Sequence, residues 1–422
     1  MRQSKTNESD NPDVVLLTID CWRHDAPSEM PHLQGLTTDF RRHEAVCQAA
    51  ATNGVFPTIL ASQYSYEAYR TDDPDLLDDS IVTLPELLSR RGYETGAFLA
   101  SNPFLGKWSA QFDEFWNDGM RSQNEDENRS EYTEFDRLRN LLTLESRVTA
   151  SEIASRARGW FVGGDSPRFL WMHLMDTHAP YYPGLRRGAA VGLLKSYYSI
   201  VQYSRQRMDA PEYVLDTIRD LYWECVGRLD DQLQAVMEFL PDDAIVVVMA
   251  DHGEELYHGN IGHARLYEEC VRVPLFVKRP DAGTDGSTIR QLDIAPTIAT
   301  WVNTDIPDGW AGEPHDGEPR ESLMINHSHG REQVYIGLRT PTAKLIEAYD
   351  PEGNKMGTEF YDLVEDPTEQ DPIADRSNPG RQTVSEKLDA YKRDEDLLTR
   401  VFTDQASAAD AVQQRLEELG YK

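Results

Sequence analysis

The strongest chemical signal in the chain is a block of acidic and imidazole side chains that begins where an apolar run stops. The run 246–250 ends at Asp251, and His252, His258 and His263 follow within thirteen residues. Carboxylate and imidazole together form a ligand set for a divalent cation such as Zn²⁺, Mn²⁺, Mg²⁺ or Ca²⁺. Such a cation lowers the pKa of a bound hydroxyl and neutralises an oxyanion. The block therefore predicts a metal site, with metal ligation, anion contact and a solvated loop as alternative roles for each histidine.

Two other apolar runs also end in an aspartate. Asp20 and Asp176 each close a run of strand length, and His178 lies two residues beyond Asp176. Ligands of open α/β sheets bind outside the carboxyl ends of the strands, so these acids are expected to converge with Asp251 on one site. Taken singly, each aspartate is equally compatible with a helix cap or a turn.

The elements that must position these residues alternate between continuous apolar runs and helical stretches. Continuous runs of strand length are typical of a parallel sheet that is buried on both faces. The predicted strands are 14–20, 94–101, 168–176, 244–251 and 273–278, and the predicted helices are 83–93, 145–163 and 212–240. The alternation predicts an α/β fold with a mostly parallel sheet flanked by helices.

The chain changes character near residue 320, where short strand-like runs separated by Gly, Pro and Asp turns begin. We expect a main catalytic domain at 10–320, a small antiparallel sheet subdomain at 321–375, and an exposed helical tail at 380–422. The polar segment 119–140 is predicted as a surface loop or mobile segment.

The composition is strongly acidic, with 73 acidic against 42 basic residues and a net charge of −31 over 422 residues. Acids dispersed along the whole chain favour a surface adapted to high salt and make nucleic acid an improbable partner. The polar start and the absence of a long apolar run predict a cytoplasmic protein without a membrane span. Four scattered cysteines predict reduced thiols.

Six blocks of the chain, in order, resemble sulfatase-like members of the alkaline phosphatase superfamily. They are "VVLLTIDCWRHDAP", "GAFLASNPFLGKWSAQFDEFWNDG", "MHLMDTHAPYYP", "ADHGEELYHGNIGHARLYEECVRVPLFVK", "LDIAPTIATWV" and "EFYDLVEDPTEQDP". The resemblance implies the superfamily's fold, with a small C-terminal antiparallel sheet. It also implies a metal-dependent hydrolase or transferase that acts on phosphoric or sulfuric esters. Together with the acidic composition, it points to a halophilic archaeal source.

The resemblance places Thr52 at the position of the nucleophile. Type I sulfatases carry there a cysteine in "C-x-P-S-R" that becomes formylglycine, whereas Cys47, the nearest cysteine, lacks that context. Phosphotransferases and nucleotide pyrophosphatases of the superfamily use threonine, which favours phosphoric esters. An N-cap role for Thr52 is the alternative, and Thr58 is a weaker candidate nucleophile. The rival functions are a sulfuric ester hydrolase without formylglycine and a non-catalytic binding module that retains the fold.

The same resemblance implies a set of metal ligands, namely Asp20, Thr52, Asp251 and His252. The family often has a second aspartate where this chain has Cys21. The loss of one hard ligand favours Zn²⁺ or Mn²⁺ over Ca²⁺ or Mg²⁺. A second metal is not expected, because relatives with two metals show "D-x-x-x-H" and this chain has Pro180 in place of that histidine.

The remaining implied residues contact a small anionic ester substrate. His263 stands where sulfatases have lysine, and we expect it to bind phosphoryl oxygens or protonate the leaving group, with His178 serving the same oxyanion from the other side. Asn53 and Gly54 are expected to offer N–H donors at a helix start, and Lys344 is expected to reach back to the site. His258 is interpreted as a surface loop residue. Substrate identity and oligomeric state stay open.

Overall fold

We describe the protein from a computed structural model. It describes residues 11–403 apart from 71–75, 118–133, 147, 164–165, 280–285, 329–332 and 395.

A large eight-stranded sheet forms the centre of the molecule, in the order β4-β3-β5-β1-β6-β7-β2-β8. Its strands are β1 (Val14–Ile19), β2 (Arg41–Val46), β3 (Glu94–Leu99), β4 (Glu114–Asn117), β5 (Arg168–Leu174), β6 (Ile245–Ala250), β7 (Arg272–Lys278) and β8 (Thr288–Arg290). The central strands β1, β5 and β6 are buried along their whole lengths. Burial of both faces explains why they read as continuous apolar runs.

Helices flank the large sheet and carry the loops at its edge. They are α1 (Pro31–Leu36), α2 (Thr52–Ala61), α3 (Ser65–Ala68), α4 (Leu84–Arg90), α5 (Glu134–Thr143), α6 (Ala150–Phe161), α7 (Gly184–Val191), α8 (Leu193–Gln206), α9 (Glu212–Met237), α10 (Glu268–Val271) and α11 (Ile294–Trp301). The long helix α9 packs against α1, α6, α7 and α8. Its buried residues recur at three- and four-residue spacing, as an amphipathic helix requires. No helix in the described ranges is long and apolar enough to cross a membrane.

A second sheet follows, with antiparallel strands in the order β12-β11-β10-β9. The strands are β9 (Ser322–Ser328), β10 (Gln333–Arg339), β11 (Ala343–Tyr349) and β12 (Lys355–Asp362), and the helices α12 (Pro379–Asp394) and α13 (Leu397–Thr403) come after them. The predicted fold class, a mostly parallel sheet with a small C-terminal antiparallel sheet, is confirmed.

Four details differ from the predictions. Strand β7 runs antiparallel to both of its neighbours. Strand β2 was not predicted, because its first half is polar and exposed. The segment 119–140 is helical from Glu134 onward, and its earlier residues lie outside the described ranges. The tail is not simply exposed, since Val384, Leu388, Leu397 and Val401 are buried in the core of the second sheet; residues 404–422 lie outside the described ranges.

Candidate active site

Two carboxylates meet at the carboxyl edge of the large sheet because the strands that precede them are hydrogen-bonded neighbours. Strands β1 and β6 pair in parallel with Ile19 opposite Ala250. Asp20 and Asp251 are the next residues of each chain segment, and both are fully buried. Like charges this close, away from water, raise the free energy of the ionised pair unless a cation lies between them. Burial, together with the charge of Asp20, raises the pKa of Asp251 to about 8.

Thr52 meets these carboxylates at the start of helix α2. Its hydroxyl lies 3.1 Å from Asp251 Oδ2, 3.4 Å from Asp20 Oδ2 and 3.3 Å from His252 Nε2. The N-cap position belongs to Ala51, which is extended. The alternative role of Thr52 as the helix N-cap is therefore wrong, and its hydroxyl is directed to the acids instead.

His252 is held with one ring nitrogen available to a ligand. Its Nδ1 lies 2.9 Å from the carbonyl oxygen of Gly253, which can only accept, so Nδ1 carries the proton. The lone pair of Nε2 therefore faces Thr52 and the two carboxylates. Burial, reinforced by the neighbouring His263, lowers the pKa of His252 to about 4, which keeps the imidazole neutral as a metal ligand must be.

The residues present fit a divalent cation. Asp20 Oδ1 is buried and accepts no hydrogen bond from the described residues, and it lies 3.7 Å from His252 Nε2. A buried carboxylate oxygen without a donor is costly, and a cation removes that cost. Three sets of side chains place ligand atoms within 4.8 Å of one another: Asp20, His173 and Asp251; Asp20, Cys21 and His252; and Cys21, His178 and His263.

A pair of histidines lies beside His252 and the carboxylates. The ring of His263 lies 4.4 Å from that of His252 and 5.5 Å from that of His178, centroid to centroid. His263 Nδ1 is 3.1 Å from Glu254 Oε2. Burial opposes the charge of His263, but the ion pair with Glu254 prevails and raises its pKa to about 9. His263 is thus a cation at neutral pH, and 26% of its side chain is exposed.

A backbone carbonyl determines which ring nitrogen of His178 carries the proton. Its Nδ1 lies 2.5 Å from the carbonyl oxygen of Ala179, so that nitrogen is the donor and Nε2 holds the lone pair. Burial lowers the pKa of His178. The two histidines therefore differ in charge, with a cationic His263 beside a neutral His178.

Asn53 and Gly54 follow Thr52 in the first turn of α2. The N–H of Gly54 donates to the carbonyl oxygen of Ala51 at 2.9 Å, so it is not available to a substrate, contrary to the expectation. Gly54 instead permits close packing, since an added Cβ would lie 2.6 Å from Cβ of Ala49. The side chain of Asn53 accepts from Lys107 Nζ at 3.1 Å, which brings a positive charge to this helix start.

Asp176 does not join Asp20 and Asp251. Strand β5 ends at Leu174, so Asp176 is the second residue beyond the strand and not the first. Its carboxylate accepts from the N–H of Ala150 at 3.0 Å and from Gln232 Nε2 at 3.0 Å. Asp176 therefore stabilises the start of helix α6. This is a structural role of the kind that the sequence allowed as the alternative to a place in the site.

Lys344 is fully buried in strand β11. Its Nζ lies 2.9 Å from Glu268 Oε1 and 2.7 Å from Glu369 Oε1. Two carboxylates already compensate this charge, so these contacts do not support the predicted substrate-binding role.

His258 lies in a loop, as expected, but its side chain is largely buried and paired instead of lying on the surface. Its Nδ1 pairs with Glu269 at 3.0 Å, and its ring stacks on Tyr267 at a centroid distance of 4.4 Å.

Sequence reasoning missed three residues that surround the carboxylates. His173 Nε2 and Asn102 Nδ2 lie 3.3 and 3.4 Å from Asp20 Oδ2, and Glu254 holds His263. His173 and Asn102 sit in or after strands that were read only for their apolar content. The available signal for His173 was a histidine inside an otherwise apolar, fully buried strand.

Comparison with known proteins identifies the family of the chain. The family model described as Sulfatase matches residues 12–304. An N-acetylglucosamine-6-O-sulfatase of Bacteroides thetaiotaomicron is 30% identical over 169 residues, which cover 36% of this chain and 29% of the relative. An N-acetylgalactosamine-6-O-sulfatase of the same organism is 22% identical over 282 residues, which cover 58% and 51%. The chain thus spans about half or less of these curated relatives.

Solved structures share the fold over nearly the whole chain. A protein solved in complex with its substrate D-glucosamine-2-N,6-O-disulfate superposes with a TM-score of 0.69 at 16% identity, covering 94% of this chain and 99% of that one. The phosphonate monoester hydrolase of Agrobacterium radiobacter superposes with a TM-score of 0.63 at 17% identity, covering 91% and 96%. With a family model that matches most of its length, this chain belongs to the sulfatase family.

Proposed function

We propose that the protein is a metal-dependent hydrolase or transferase of phosphoric esters in which Thr52 is the nucleophile. The observation that carries the proposal is the position of the Thr52 hydroxyl, which is buried within 3.4 Å of Asp20, Asp251 and His252. A hydroxyl held between two carboxylates and a neutral imidazole is placed to become an alkoxide.

Asp20, Thr52, Asp251 and His252 would hold the cation. A divalent cation bound there supplies a lower pKa for the threonine hydroxyl and neutralises charge on the transferring group. Asp251 Oδ2 is the closest acceptor for the hydroxyl proton, at 3.1 Å. Helix α2 fixes the direction of attack, since Thr52 is its first residue. Neutral His252 and the missing second aspartate favour Zn²⁺ or Mn²⁺ over Ca²⁺ or Mg²⁺.

The attack of Thr52 on phosphorus also needs a proton donor for the leaving oxygen, and in a second step water or an acceptor hydroxyl takes the phosphoryl group from Thr52 Oγ1. His263 is suited to be the proton donor because Glu254 keeps it protonated while its side chain remains partly exposed. As Thr52 Oγ1 bonds to phosphorus, the bond to the leaving oxygen breaks, and that oxygen takes the proton of His263. His178 lies on the other side of His263 and contacts the phosphoryl oxygens. Asn53, next to Thr52 and paired with Lys107, is the remaining candidate contact.

The choice of phosphoric over sulfuric esters depends on the nucleophile. Cys47 is buried and its thiol donates to the carbonyl oxygen of Asp251 at 3.2 Å, so it does not stand in the position of Thr52. The position of Thr52 therefore holds no cysteine that could become formylglycine. A sulfuric ester hydrolase that acts through Thr52 is the second candidate, because the family and two of the curated relatives are named for sulfate esters. A small-molecule anionic ester is the expected substrate in both cases. A halophilic source and a cytoplasmic location stay predictions from composition.

A substrate panel tests the proposal. Aryl phosphate monoester, phosphate diester, phosphonate and sulfate substrates would be assayed in high salt before chelation, after chelation, and after Zn²⁺ or Mn²⁺ is returned. We expect phosphoester turnover that disappears with the metal and returns with it. Turnover of sulfate esters with none of phosphoesters would favour the second candidate. A protein that binds no divalent ion and turns over none of the four would instead be a binding module that retains the fold.

A further inference from the structure

His173 is a buried histidine beside the carboxylates to which the sequence motifs assign no role. It lies on β5, fully buried, with Nε2 3.3 Å from Asp20 Oδ2. Its ring is fixed in place by aromatic neighbours, since Phe56 packs edge-on against it at a centroid distance of 5.2 Å and Trp171 lies 6.4 Å away. A buried ring in a strand cannot turn away from the site, so its two nitrogens have constant surroundings.

Hydrogen bonding on the far side of the ring indicates which nitrogen carries the proton. His173 Nδ1 lies 2.9 Å from Thr18 Oγ1, which is in turn 3.2 Å from the carbonyl oxygen of Met172 and 3.0 Å from Trp171 Nε1. The indole nitrogen can only donate and the carbonyl can only accept. The Thr18 hydroxyl therefore receives from Trp171 and gives its single proton to Met172. With that proton donated to Met172, His173 Nδ1–H donates to the remaining lone pair of Thr18.

This arrangement leaves the lone pair of His173 Nε2 facing a carboxylate. A lone pair and an anionic oxygen 3.3 Å apart repel unless a positive charge lies between or beside them. No described lysine or arginine pairs with Asp20, whose other oxygen accepts no hydrogen bond. His173, Asp20 and Asp251 also place ligand atoms within 4.8 Å of one another. We propose that His173 Nε2 is a ligand of the same cation that Asp20, Asp251, His252 and Thr52 hold.

The consequence is a ligand set with two imidazoles and two carboxylates. Two nitrogen ligands shift preference toward Zn²⁺ and other transition-metal ions and away from Ca²⁺ and Mg²⁺, which take oxygen. The inference rests on the proposed metal-dependent function and specifies the class of metal. It also explains how the site compensates for Cys21 at a position where the family often has aspartate, because a histidine from the neighbouring strand replaces the lost ligand.

X-ray absorption spectroscopy of the full chain loaded with one equivalent of Zn²⁺ tests the inference without measuring activity, because multiple scattering counts imidazole ligands. We expect two imidazoles in the wild type and one in His173→Gln. We also expect the affinity for Zn²⁺ to fall by about tenfold or more in His173→Gln, with a smaller change for Mg²⁺. Cys21→Ser is the matched control, and it should keep two imidazoles.

The outcomes separate the two claims. Glutamine retains an N–H donor near the position of Nε2, so if His173 only orients Asp20 by donating to it, His173→Gln will keep its affinity for Zn²⁺ and the wild type will show one imidazole. That result would overturn the inference and leave the proposed function intact. A wild-type count of one imidazole overturns the inference even if the variant does not fold, and a count of two is assigned to His173 by its fall to one in His173→Gln, because Cys21, His178 and His263 also place ligand atoms within 4.8 Å of one another. A wild type that binds no divalent ion overturns the proposed function itself.

Discussion

The chain buries two groups of charged side chains, and they differ in how their charges are compensated. One group joins the small sheet to helix α10, where Lys344 and Arg339 face Glu268 and Glu369. The other group lies at the edge of the large sheet, where Asp20 and Asp251 face each other, Thr52 and neutral His252. Both groups are inside the protein, but among the described residues only the first has a lysine or arginine in an ion pair with each carboxylate.

The difference separates a structural group from a functional one. In the first group burial is opposed by Lys344 and Arg339, which hold the pKa of Glu268 well below its usual range. Burial and the neighbouring Glu268 still raise the pKa of Glu369 to about 7. In the second, burial and Asp20 raise the pKa of Asp251 to about 8. A buried ion pair is destabilised when one partner is removed. Two like charges that are buried together instead destabilise the folded protein by repelling each other. The chain tolerates this repulsion where a bound cation compensates it.

The largest expected effect concerns the hydroxyl of Thr52, which contacts Asp20 and Asp251. Thr52→Val should reduce kcat for phosphoesters by about 10⁴-fold or more, because removal of a nucleophile leaves only the binding and electrostatic contributions. Thr58→Val is the matched control: Thr58 is buried in the same helix, and its hydroxyl donates to the carbonyl oxygen of Val55. Steady-state kinetics on both variants make the comparison. Equal losses in the two variants would contradict the role of Thr52.

A substitution in the first group, where Lys344 and Arg339 face Glu268 and Glu369, should change stability and not metal binding. Lys344→Met leaves Glu268 and Glu369 with one cation fewer in the interior, so we expect the free energy of unfolding to fall by about 3–5 kcal/mol. Denaturant titration measures it, and zinc affinity of the folded variant should equal that of the wild type. A variant of unchanged stability that loses metal or substrate affinity would restore Lys344 to the site.

A smaller effect is expected at the proton donor. His263→Asn should lower kcat by about 10²–10³-fold for esters with poor leaving groups and much less for activated aryl esters, which need no proton. The acid form of His263 is required, so wild-type kcat should fall as pH rises through about 9. Glu254→Gln removes the pairing carboxylate and should move that fall to lower pH. An alkaline limb that does not move in Glu254→Gln would show that another group titrates.

The smallest expected effect is that of the repulsion between Asp20 and Asp251 on the stability of the metal-free protein. The pKa of Asp251 is raised in the folded state, so the native protein binds the extra proton and stability falls as pH rises between the ordinary value near 4 and about 8. Asp251→Asn removes this dependence and should be more stable than the metal-free wild type at pH 8 by at least about 1 kcal/mol. Thermal unfolding at pH 5 and pH 8 measures the difference. A metal-free wild type that is more stable at pH 8 than at pH 5 would contradict the repulsion between Asp20 and Asp251.

The contrast also shows what the sequence could predict. Asp20 and Asp251 immediately follow fully buried strands, so local pattern and the geometry of parallel sheets were enough to bring them together. Asp176 broke the rule by a single extra residue between it and strand β5. That shift is below the precision with which strand ends can be read from a pattern.

Contacts between distant segments were beyond the sequence. Lys344 pairs with Glu268, 76 residues away, and nothing near either residue reveals the pair. His173 was hidden for a different reason, since its strand reads as apolar and only the pairing of β1 with β5 sets it opposite Thr18 and beside Asp20. The resemblance to the family gave roles to residues that match its motifs. The structure was needed to find the contacts of the other residues.

Trapping of a covalent intermediate tests the central claim most directly. The metal-loaded protein would be mixed with a phosphoester, quenched in acid during turnover, and digested for peptide mass spectrometry. We predict one phosphoryl group on Thr52 in the wild type and none in the peptide of Thr52→Val. Phosphoester turnover with Thr52 unmodified at every quench time, or a phosphoryl group on another residue, would contradict the account.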